Sequence, residues 1–98
     1  MSARLDQAVT HAYWVRRNDV LWRWTLDGLL VLPAGREEPI VLERPGQALW
    51  QALREPRSLA EAVVVVSEEQ GRDHDSVALE LHESLEQLDD AGALRRLT

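Results

Sequence analysis

The sequence predicts an α+β domain in which a three-stranded antiparallel sheet is followed by three helices. Three observations carry that prediction. Val20, Trp22, Trp24 and Leu26 alternate with Leu21, Arg23 and Thr25 at the two-residue period of a strand. Ser58-Leu59-Ala60-Glu61 has the spacing of a capping box, with a hydroxyl to cap and a carboxylate three residues on. Val77, Leu81, Leu85 and Leu88 recur at i, i+4, i+8 and i+11, the stripe of an amphipathic helix. At 98 residues, 45% hydrophobic and 29% charged, the chain has the size and balance of one globular domain.

Residues 1–13 read as an N-terminal arm, either flexible or a short helix, because Leu5, Val9, Ala12 and Tyr13 share helical spacing. The domain proper is expected over residues 14–97. Strand character begins near Trp14 and is firm from Val20. Asp27-Gly28 is the favoured pair for a two-residue type I′ loop, which places Leu26 opposite Leu29 and Trp24 opposite Val31. The return strand is Leu29 to Leu32. After a polar connection that begins at Pro33, Ile40-Val41-Leu42 reads as a short third strand, with Ile40 and Leu42 on one face and Val41 and Glu43 on the other.

The first helix is expected from about Pro45 to Leu53, with proline at its start, where a missing N–H costs nothing. Ala48, Leu49, Ala52 and Leu53 form its buried stripe, and Glu55-Pro56 ends it. The capping box opens a second helix that runs to about Gln70, with Gly71 as its stop. The run Val63 to Val66 favours a strand locally, but the cap and the glycine bracket a helix. Asp73 or Asp75 caps the third helix, which ends at Gly92, and residues 93–97 offer a short tail strand. Taken together, the elements give a winged helix-turn-helix-like arrangement.

Charge excludes several functions. All eleven basic residues are arginine, against seventeen acids. Residues 1–36 carry a net +2 and residues 37–98 a net −8. Between Asp73 and Asp90 there are seven acids and no arginine, so the helix that would enter a major groove repels phosphate. Nucleic acid and anionic membrane are therefore excluded as expected partners. The chain has no cysteine, so it has no disulfide framework and no thiolate metal site. No signal-peptide pattern opens the chain and no run is long enough to span a bilayer, which makes the cytoplasm the expected compartment.

The polar residues do not assemble into catalytic motifs. His74 and His82 are two helical turns apart and cannot share one ion without a third element, while His11 lies in the arm. No Gly-x-Ser-x-Gly and no phosphate-cradling glycine loop occurs. The expectation is a non-enzyme without metal or cofactor. Trp22, Trp24 and Trp50 read as core, since the chain has no phenylalanine, and Trp14 as the tryptophan best placed for an exposed contact. One functional geometry remains. If Ile40–Glu43 is a sheet edge, its unpaired N–H and C=O groups beside an apolar helix would suit strand addition by a peptide.

From Ile40 onward the chain resembles the PqqD-like family, the RiPP recognition elements. The similarity rests on Ile40-Val41-Leu42, Gly46, Ala48-Leu49-Trp50, Leu53, Ser58-Leu59-Ala60-Glu61-Ala62, Gly71, Val77 and the closing Leu85, Leu88, Gly92 and Leu94. With the hairpin it covers about residues 14–97. The resemblance implies a stand-alone domain that binds the leader of a ribosomally made precursor peptide as an added strand. It also implies delivery to a modifying enzyme such as a radical-SAM protein, a cyclodehydratase or a lasso-type protease. Carried over to this chain, the binding positions are Ile40, Val41, Leu42 and Glu43 on the strand and Val77, Glu80, Leu81 and Ser84 on the third helix. Glu80, Glu83 and Asp73 would favour a leader carrying lysine or arginine. Glu43 stands where the family often has asparagine, Glu55-Pro56 where it has Asp-Gly, and Gln70-Gly71 where it has Tyr-Gly. These departures point away from the quinone-cofactor branch. The alternatives are a winged-helix transcriptional regulator and a protein–protein adaptor.

Overall fold

The computed structural model describes residues 12–97. Apart from Ala12 and Tyr13, the expected N-terminal arm lies outside the described residues. The architecture is α+β, with two three-stranded antiparallel sheets and three helices. Strands β1 (Tyr13–Arg16), β2 (Leu21–Thr25), β3 (Gly28–Leu32) and β4 (Ile40–Leu42) precede helix α1 (Arg44–Ala52). A two-residue strand β5 (Arg57–Ser58) leads into α2 (Leu59–Gln70), followed by α3 (His74–Asp90) and β6 (Leu94–Leu97).

The expected sheet forms in the order β2-β3-β4, but its hairpin is closed differently from the sequence expectation. Thr25 lies opposite Gly28, Trp24 opposite Leu29 and Trp22 opposite Val31, so Leu26 and Asp27 make the turn. Neither residue has a positive φ, which rules out the I′ geometry. The positive φ falls on Gly28, at 137°. Close approach also explains the glycine, because a Cβ there would sit 3.2 Å from the Leu42 carbonyl oxygen and from Gln47 Nε2. The Thr25 hydroxyl locks the turn by accepting from the Asp27 N–H and donating to the Gly28 carbonyl. The shift is by two residues, so the side chains keep their faces.

Leu29, Val31 and Leu42 are buried on the inner face of this sheet. Trp22 and Trp24 point to the same face, yet they are 41% and 52% exposed because β2 is an edge strand of its sheet. Leu26 is fully exposed at the hairpin tip rather than on the apolar face. Trp14 reverses the sequence expectation. It lies in β1, buried, with the Arg96 guanidinium 5.6 Å from its ring.

The second sheet, ordered β5-β1-β6, brings the chain ends of the domain together. The anticipated tail strand is β6, and it pairs with β1 from Tyr13↔Leu97 to Arg16↔Leu94. The order of elements is therefore not simply strands and then helices, since β5 and β6 interleave with the helices. Backbone bonds from Arg16 N–H to the Leu53 carbonyl and from Arg17 N–H to the Ala93 carbonyl, both 3.0 Å, tie β1 to the helical half.

The helices follow their sequence signals closely. The capping box forms completely, with Glu61 N–H donating to Ser58 Oγ at 3.1 Å and Ser58 N–H donating to Glu61 Oε1 at 2.9 Å. Gly71 ends α2 in the left-handed region at φ 61°. Asp73 caps α3 by accepting from Ser76 N–H. Val77, Leu81, Leu85 and Leu88 are all buried, as are Val63 and Val66 of the valine run. Trp50 is buried completely and centres the core between the sheet and the helices.

Candidate peptide-binding groove

β4 is one edge of its sheet, and its backbone can be oriented residue by residue. The Leu42 carbonyl oxygen lies against Gly28 at the head of β3 and accepts from Gln47 Nε2 at 2.8 Å. Leu42 therefore turns its N–H and C=O toward the sheet. Backbone polar groups alternate along a strand, so Val41 turns its own N–H and C=O outward. The Val41 side chain is half exposed.

Beside this edge runs α3. Between them is a groove of about 320 Å³ lined by Val41, Glu43, Pro45, Gly46, Glu80, Glu83, Ser84 and Gln87. Gly46 lets α1 come close to β4, since a Cβ there would lie 3.3 Å from Leu42 Cβ and Cδ2. Glu80, Glu83, Ser84 and Gln87 fall at i, i+3, i+4 and i+7, one helical face turned toward the strand. Ser84 is buried among them.

Three carboxylates border the groove, and they are not equivalent. Arg72 grips Glu80 with both terminal nitrogens, at 2.8 and 2.7 Å. That bond holds the Glu80 carboxyl below its ordinary pKa. Among the described residues Glu43 and Glu83 have no ion pair, so they supply the groove's uncompensated negative charge.

Of the positions carried over from the family, the structure brings Val41, Glu43, Glu80 and Ser84 together along this groove. Ile40 is half buried against the core, and Leu42, Val77 and Leu81 are buried. Val77 and Leu81 instead line a neighbouring cavity of about 620 Å³, with Ala48 and Val66 among its other walls. That cavity shares Pro45 and Glu80 with the groove, so the two are adjacent. Pro45, Gly46 and Gln87 were not anticipated as lining. Gln87 was legible in principle, one turn beyond Glu83 and Ser84 on the same helical face. His82 is paired with Glu86 at 2.9 Å, and among the described residues no His, Asp and Glu converge in a set that would hold a metal ion. No helix among the described residues is long and apolar enough to cross a membrane.

No family model, no curated protein and no solved structure matches this chain.

Proposed function

We propose that the protein is a non-catalytic, cytoplasmic peptide-binding domain of winged helix-turn-helix type. It takes up the leader of a ribosomally synthesised precursor as a fourth strand on β4 and presents the precursor to a modifying enzyme. The observation that supports this most is the pairing of Val41's outward backbone with the groove against α3. A peptide strand laid there satisfies its own backbone on Val41 and sets alternate side chains over the α3 face. Glu43 and Glu83 favour a leader with lysine or arginine at a groove-facing position, and such rim charges act mainly on the encounter rate.

The same helix pair in a transcriptional regulator would carry α3 into DNA. Its six acids, the Asp73 cap beside them and its lack of arginine favour the peptide reading over that one.

The test is to search the neighbouring reading frames for a short precursor and to titrate it calorimetrically, with the whole precursor, its leader and its core as separate ligands. Whole precursor and leader are expected to bind alike, and the core not at all. Binding of the core alone, or salt-sensitive binding of duplex DNA in place of the leader, would contradict the proposal.

A further inference from the structure

The edge of the β2-β3-β4 sheet opposite the groove concentrates the exposed apolar side chains of the molecule. Eight large hydrophobic residues are exposed among the described residues, and four of them, Leu21, Trp22, Trp24 and Leu26, fall within residues 21–26. β2 is an edge strand of five residues that pairs with β3 without a bulge. Proline, lysine and bulges commonly keep a sheet edge from pairing, and β2 has none of them.

The backbone of β2 can be oriented from the far side of the sheet. Leu42 turns its N–H and C=O toward β3, where Leu29 is its register partner. Leu29 therefore bonds on the β4 side, and Trp24, opposite it on β2, stands in a pair without ladder bonds. The N–H and C=O of Trp24 consequently face the open edge, as do those of Trp22 two residues earlier. At the start of β2 the Arg16 guanidinium packs on Trp22, so the edge is most open toward the hairpin tip. Two opposite charges border that tip. Arg23 and Asp27 make no ion pair among the described residues.

We infer that two copies of this chain associate through β2, antiparallel, about a two-fold axis at Trp24. In that register Trp24 faces its own counterpart, and their outward backbone groups bond across the axis. Arg23 faces Thr25 of the second copy and stands diagonally from that copy's Asp27, within reach of a long side chain. Each copy supplies one cation and one anion, so the axis makes the contact twice. Trp22 meets Leu26 of the second copy on the other face. A register centred on Arg23 would instead set the two arginines against each other. The four exposed side chains present on the order of 500 Å² per copy, at about 200 Å² for each when bare. Two copies bring about 1,000 Å², where specific interfaces begin. The pairing closes after two copies and leaves both β4 edges free, so the inference stands apart from what the groove binds.

The test is sedimentation equilibrium of the whole chain from micromolar to roughly millimolar concentration. A reversible monomer–dimer equilibrium without larger species is expected. Trp24→Lys sets a charge against itself on the axis and is expected to leave a folded monomer. Arg23→Asp should weaken the dimer roughly tenfold. Arg23→Asp combined with Asp27→Arg should restore it, because the two charges exchange places. All three substitutions fall at exposed positions, and thermal unfolding in dilute solution checks that each variant is folded. The charge exchange decides the matter even where Trp24→Lys does not fold. A parent that stays monomeric throughout, or one that assembles beyond the dimer, would overturn the proposal. So would a folded Trp24→Lys variant that still dimerises, or a charge exchange that remains as weak as Arg23→Asp alone.

Discussion

Glu80 shows how a carboxylate on a groove wall can be engaged by its own chain. The sequence places it on the acidic face of α3, and nothing in the spacing reveals that Arg72, beyond the Gly71 stop, folds back onto it. The ion pair is exposed, so its worth is modest and screened by salt. Its pH signature is nevertheless definite. A carboxyl with a depressed folded pKa contributes stability above its unfolded pKa, and that contribution is lost as pH falls through the folded value. Arg72→Gln is therefore expected to return the Glu80 titration to the ordinary glutamate range and to shrink the acid-side loss of stability. Carboxyl chemical shifts followed by NMR against pH check this. An unmoved Glu80 titration would mean that the pair does not persist in solution. Tryptophan placement was the least legible feature at this scale. Trp14 is buried because β6 and β5 flank its strand on both sides, pairings made with residues far along the chain. Trp22 and Trp24 stay half exposed because their strand has a neighbour on one side only.

Among the elements, those with local signals were readable and those made by distant pairing were not. α2 and α3 announce themselves through their caps and stripe, and the valine run is helical because Val63 and Val66 are buried against the rest of the core. The second sheet has no comparable signal. β5 is two residues long and β1 finds its partner at the far end of the domain. The hairpin register misled because Asp27-Gly28 fits a I′ turn, whereas the glycine is needed one position later, under the Leu42 carbonyl. Ser58 is the element-scale test, since it caps α2 and also belongs to β5, whose partner is Tyr13 of β1. Ser58→Ala leaves the Glu61 N–H without its acceptor and is expected to cost about 1 kcal/mol. The shift should appear in the denaturation midpoint with an unchanged slope. A midpoint equal to the parent's would show that the cap contributes nothing to this fold.

Over the whole molecule, the sheet separates two chemistries. The β4 edge faces an acidic groove on α3, whereas at the β2 edge the Arg16 guanidinium packs against Trp22 and Trp50. The idea of an edge strand beside a helix came from the sequence pattern, and the resemblance supplied Val41, Glu43, Glu80 and Ser84, which lie along one groove. The burial of Leu42, Val77 and Leu81 was not legible, because apolar residues at helical or strand spacing read alike whether they line a groove or the core beneath it. The central claim is that a leader peptide adds to β4 through Val41. Residue-resolved amide exchange, measured with and without the leader, tests it most directly. The Val41 N–H is expected to exchange freely in the unbound domain and to become protected on binding, while the Leu42 N–H is slow in both. In agreement, Val41→Pro should fold and lose about 1–3 kcal/mol of leader affinity, as expected when a partner's polar group is left unpaired, whereas Leu42→Pro should unfold the edge. A Val41 N–H that still exchanges freely in the saturated complex would contradict the account.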